Sequence, residues 1–161
     1  MSATFLAATA VGVATRLRAD ATLVALATGG IKVVEGPARN METGDDQPYI
    51  VVSASSATDP NHSMQGDGFM MSVEVTLFDV AEYTLDRIDP MSERVYGDAT
   101  LQTDLVPTYG LHRHRLTLPA GLANSWTASQ IVCEGVNAVQ LEDTRFSMQW
   151  NFKVNVSRYR P

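Results

Sequence analysis

One segment near the end of the chain limits the fold more than any other. Phe146, Met148, Trp150, Phe152, Val154 and Val156 alternate without a miss against Arg145, Ser147, Gln149, Asn151, Lys153, Asn155 and Ser157. Successive side chains of a β-strand point to opposite faces, so this strand has one dry face and one wet face. That pattern belongs to an antiparallel sheet covered on one side by helices.

Other segments supply the helices and further strands. Thr4 to Leu17 places Phe5, Ala8, Thr9, Gly12, Val13 and Leu17 near one helical face. Asp20 is positioned to cap a short second turn, Ala21 to Ala27, which Gly29-Gly30 stops and which Leu23 and Leu26 anchor. Ile31 to Glu35 is a β-branched run broken by Gly36-Pro37, residues 38–47 form a polar loop, and Pro48 to Ser53 opens a second strand. Ala57 to Gly68 reads as a long turn-forming linker. It leads into a strand in which Phe69, Met71, Val73, Val75 and Leu77 face away from Ser72, Glu74 and Thr76. This predicts a hairpin with an oversized loop, a type of loop that often carries function.

Residues 81–96 switch to helical spacing, with Leu85, Ile88, Met91 and Val95 on one side and Gly97-Asp98 at the end. Pro90 either opens a fresh helix that Asp89 caps or kinks a longer one. Gly110 to Leu118, between Pro107 and Pro119, and more weakly Gln130 to Glu134, are strand candidates. The expected architecture is a two-layer α+β sandwich, a mostly antiparallel sheet with helices packed on one face.

A chain of 161 residues, 45% apolar and 19% charged, is expected to form one domain over 1–161. A net charge of -6 argues against a general phosphate binder. Cys133 is the only cysteine, so no intrachain disulfide forms. The apolar run Phe5 to Ala14 has no basic residue before it, as a signal peptide would, and no stretch approaches the roughly 20 apolar residues of a membrane span. The expected location is cytosolic, with no membrane contact.

Chemistry is sparse. His112 and His114 in His112-Arg113-His114-Arg115 would share a face if the segment were a strand, as two metal ligands can, with His62 or a carboxylate as a third. The simpler reading is an exposed strand face with the two arginines on its other side, because no ligand motif of known spacing accompanies the histidines. Cys133 among Ile131, Val132 and Val136 reads as an inert buried thiol rather than a nucleophile. No Gly-x-Ser-x-Gly elbow is present, and neither Gly29-Gly30 nor Gly66-Asp67-Gly68 fits a phosphate loop. Glu42, Asp45 and Asp46 lack EF-hand spacing and read as a solvated turn. Arg16 and Arg18, or Arg158 and Arg160 with Tyr159, could touch phosphate or a neighbouring subunit, or be helix-end and tail charges. No catalytic, metal or cofactor residue is assigned, and no enzymatic activity is expected.

An N-terminal helix followed by Leu17-Arg18-Ala19-Asp20-Ala21 through Gly29-Gly30-Ile31, a polar loop, Gln47-Pro48-Tyr49-Ile50-Val51-Val52, the strand Val73 to Asp79, a helix and a final alternating strand form a recognisable series. Over residues 15–96 and 145–158 it resembles the tail-terminator and tail-completion proteins of long-tailed bacteriophages, the head–tail joining family. The resemblance implies a virion subunit, assembled in the host cytoplasm, that forms a hexameric ring. That ring would cap the tail tube, end its polymerisation and dock to head-completion or neck proteins, with DNA passing through unbound. The pattern departs at Pro90 and over residues 98–130, a possible insertion. Asn61, His62, Met64 and Gln65, at the tip of the 57–68 loop, are the assembly-interface candidates, against a merely mobile loop. Competing readings are another phage neck or head-completion protein, a small-molecule or peptide-binding module, and an enzyme built on His112 and His114.

Overall fold

The computed structural model describes residues 3–27, 29–36, 48–63, 66–80, 88–97, 107–118, 126–141 and 145–159. Helices α1 (Ala3–Arg18) and α2 (Ala21–Ala25) precede strands β1 (Lys32–Glu35), β2 (Tyr49–Ser63) and β3 (Gly66–Val80). Helix α3 (Asp89–Tyr96) follows, then β4 (Thr127–Ala128), β5 (Val132–Leu141) and β6 (Arg145–Tyr159). The six strands form one sheet in the order β1-β2-β3-β6-β4, with β5 also on β6. All pairings are antiparallel except β1 with β2, which is parallel. The expected α+β fold is therefore the observed one, with a mixed edge.

The alternating strand behaves as its pattern predicts. Trp150, Phe152 and Val154 are buried opposite the buried Val75, Val73 and Met71, and the buried Val156 pairs in register with residue Phe69. Ile50, Val52 and Leu77 extend the same face, on which Val13, Ala14 and Leu17 of α1 pack. Burying side chains of this size is worth roughly 1.5–3 kcal/mol each. Asp20 caps α2 as expected, its carboxylate accepting the Leu23 N–H at 3.0 Å.

Several local expectations fail. The supposed linker from Ala57 to Gly68 is mostly strand: β2 runs to Ser63 and β3 starts at Gly66, with a bulge between Ser56 and Pro60. Its polar residues suggest a loop only when read alone, because its two halves pair with each other and β6 holds the β3 half from the other side. Gly110 to Leu118 is not a strand. Gly110 (φ 78°) and Arg113 (φ 67°) turn left-handed, and only Arg115 bridges, to Gln130. Asp89 is not the cap of α3 but its first residue; Ile88 holds the cap position, and Pro90 sits in the first turn, where its missing N–H costs little. The polar stretch 38–47 and the start of the predicted helix, 81–87, lie outside the described residues.

The segment after α3 crosses its end closely. Leu111 N–H donates to the Val95 and Tyr96 carbonyls, and His112 N–H to Tyr96, which satisfies carbonyls the helix leaves open. The crossing needs two glycines. A Cβ on Gly110 would collide with the Gly97 backbone, and Gly97 itself has φ 113°.

Phe152→Ala is expected to cost about 3–5 kcal/mol in urea unfolding, whereas Val136→Ala, at a half-exposed site, should stay within about 0.5 kcal/mol. Gly110→Ala should destabilise by several kcal/mol, because steric collision and a strained φ act together.

Candidate assembly interface

β2, β3 and β6 are each 15 residues long, roughly 50 Å of strand at about 3.3 Å per residue. β3 pairs with β6 along its whole length, from Gly66 opposite Tyr159 to Val80 opposite Arg145. The far end of this ladder is the region that the sequence singled out. Asn61 lies opposite Gly68 and His62 opposite Asp67 on the β2–β3 ladder, while Met64 and Gln65 fall outside the described residues. Arg158 and Tyr159 pair with Asp67 and Gly66. His62, Asp67 and Arg158 thus share one register level of a three-stranded end, a grouping that their distance in sequence hides.

The other candidates have duties inside the chain. Arg18 donates to the Val33 carbonyl at 2.7 and 3.1 Å and pairs with Glu35 at 2.7 Å. Its hydrogen bond and charge hold the Glu35 carboxyl below the ordinary range against a small burial penalty. Arg16 reaches the Gly110 and Pro107 carbonyls at 3.4 and 3.2 Å and ties the crossing segment to α1. Arg160 lies outside the described residues, as do Glu42, Asp45 and Asp46.

A partly buried clamp holds α2 to α3. Arg94 grips Asp20 with two hydrogen bonds of 2.7 and 2.8 Å, and its guanidinium lies 3.8 Å from the Tyr109 ring centre. Burial raises the Asp20 carboxyl, but the Arg94 hydrogen bond, the Leu23 and Thr22 N–H groups and the guanidinium charge outweigh it and leave it lowered.

His112 and His114 do not form a metal pair. His112 stacks on Tyr96 with ring centres 4.8 Å apart, and its Nδ1 accepts the Cys133 N–H at 3.1 Å. His114 lines a cleft of about 500 Å³ with Val11, Thr15 and Arg16. Among the described residues no three His, Cys, Asp or Glu side chains gather as metal ligands. Cys133 is half-buried rather than fully buried, and burial raises its thiol. No helix among the described residues is long and apolar enough to cross a membrane.

What the sequence reading missed is β5. It was legible only as Gln130 to Glu134, yet strand pairing runs from Val132 to Leu141, with a bulge between Cys133 and Gly135. The bulge shifts the alternation by one residue, so no single period spans the strand. Val132 and Val136 on it are about half exposed.

Compared by sequence, the chain matches no protein-family model and no curated protein. Compared by structure, it is similar to a chain of the virion of a native gene transfer agent particle. The TM-score is 0.65 at 16% identity, and the match covers 98% of this chain and 99% of that one. The two chains share a fold over nearly their whole length.

Burial lowers both histidines, assisted by Arg113 for His112 and by Arg16 for His114. The unfolded chain therefore takes up these protons first, near the ordinary value of 6.5, and stability falls as pH drops below it. The Asp20 and Glu35 contributions are lost only lower, as pH falls from the ordinary carboxylate range toward their lowered values. Urea midpoints should fall between pH 7.5 and 5.5, and the His112→Gln/His114→Gln variant should flatten that step. Arg94→Ala should cost about 2–3 kcal/mol at neutral pH by the same measurement, since it removes two charged hydrogen bonds.

Proposed function

We propose that this protein is a structural component of a phage-like virion and that it acts there as a tail terminator, forming a ring on the tail tube. The observation that carries the reading is the fold shared with a gene transfer agent virion chain over 98% of this chain. A match of that extent leaves no large part of either chain outside the common fold. The series of elements that resembles the tail-terminator family supports the finer assignment, and the order of those elements agrees with it.

The physical features suit the role. The three-stranded end that carries Asn61, His62 and Arg158 stands at one limit of long strands, a form able to reach a neighbouring copy or the tube. A net charge of -6 would repel duplex DNA passing through a ring, so the channel would guide the duplex without gripping it. No reaction is assigned, and the function rests on shape and contact.

Light scattering over a range of concentration and salt tests the reading. The expected result is a species of six times 17.5 kDa, either free or formed on adding tail tubes, together with tubes that stop lengthening. A single-copy protein that ignores tubes would contradict it.

A further inference from the structure

The two edges of the sheet point to the contact between copies. This inference rests on the ring reading above. β5 is ten residues long, pairs with β6 on one side, and beyond Cys133, whose N–H goes to His112, has no strand on its other side among the described residues. Exposed edges of that length are normally blunted by Lys, Pro or brevity, because free N–H and C=O groups invite another strand. β5 has no Lys or Pro, and its one charged residue, Glu134, is paired with Lys153. Val136 lies opposite Trp150 and so on the helix-bearing face, yet it is 45% exposed.

The opposite edge is complementary. β1 pairs with β2 only from Tyr49 to Val52, and from Ser53 onward β2 has no outer strand among the described residues. Beside that free stretch lies a cleft of about 710 Å³ lined by Leu6, Ala7, Ala10 and Val11 of α1 and by Ala54. Ala54 pairs with Val73, whose side chain is in the core, so the cleft opens on the helix-bearing side.

Strand direction links the two edges. β2 and β6 are each antiparallel to β3 and therefore run the same way, while β5 runs against them. If the sheet continues from copy to copy with the helices kept on one side, β5 meets the next β2 in antiparallel sense. Val136 then arrives on the same side as the cleft. We propose that the β5 edge of one copy adds to the free edge of β2 in a second copy, seating Val136 beside α1. Main-chain hydrogen bonds supply affinity in such strand addition, and the cleft selects the side chain. The contact is head-to-tail, the kind that closes into a ring when the rotation per copy allows.

Cross-linking with a folded, assembly-blocking variant tests this. Ser55 and Asn137 are exposed and lie on the helix-free face, opposite Ser72 and Gln149 respectively. Ser55→Cys and Asn137→Cys, each in a Cys133→Ser background, are co-expressed and mildly oxidised. A disulfide-linked pair of the two different variants is expected, while each variant alone should stay uncross-linked. Val136→Glu, brought towards Glu35 at the cleft, should keep its circular dichroism and fall to single-copy mass. A ring that survives Val136→Glu and gives no mixed disulfide would overturn this interface while leaving the ring reading intact. An Asn137→Cys self-pair would overturn it in favour of a two-fold contact. Wild-type protein that never assembles, with or without tubes, would overturn the ring reading and this interface with it.

Discussion

Every other part of the molecule depends on the unbroken ladder between β3 and β6. Fifteen residue pairs in continuous register fix which side chains face the helices and which do not. A slip of one residue would turn Trp150, Phe152 and Val154 to the opposite side, and with them the whole apolar face. The register is pinned because Met71, Val73 and Val75 of β3 and their partners Val154, Phe152 and Trp150 of β6 are all fully buried. β2, β5 and β4 then add to a template whose faces are already set. The opposite face is not uniformly wet. At one end Tyr49, Val51 and Phe78 form a second small cluster, with the two rings stacked at 4.8 Å, and Thr76 and Ser147 are buried on the same face.

The helical layer is fastened by arginines as well as by apolar contact. Arg18 and Arg16, in the last turn of α1, reach the carbonyls of β1 and of residues 107 and 110, and Arg94 of α3 grips the Asp20 carboxylate at the start of α2. The stretch after Pro107 is thereby part of the body of the fold, with Leu111, Leu116 and Leu118 in the core. A chain built this way presents fixed sheet edges to its surroundings, which suits the proposed role in an assembly.

The amphipathic elements were legible in the sequence because their periods are local. β6, β3, α1 and the Asp20 cap follow directly from alternation, helical spacing and capping chemistry. The extension of β2 and β3 through Ala57 to Gly68 was not legible, since polar and turn-forming residues hid a strand pair whose β3 half is also held by β6, some 90 residues later. His112 looked like half of a metal pair because a strand was assumed. The left-handed Arg113 and the Cys133 N–H give its ring a different task. The free edge of β5 was hidden by a bulge, and an edge is in any case a property of topology, which no local pattern encodes. Of the proposed contact residues, the ladder places Asn61 and His62 on a strand near the far end of the sheet, a position that only pairing reveals.

Imaging the protein on its target tests the central claim most directly. Purified protein bound to tail tubes would be viewed by electron cryo-microscopy, with averaging about the tube axis. The account predicts a ring of copies at one end of each tube, with sheets continuous from copy to copy and helices on one side. Density scattered along the tube wall, or single copies at the end, would contradict it.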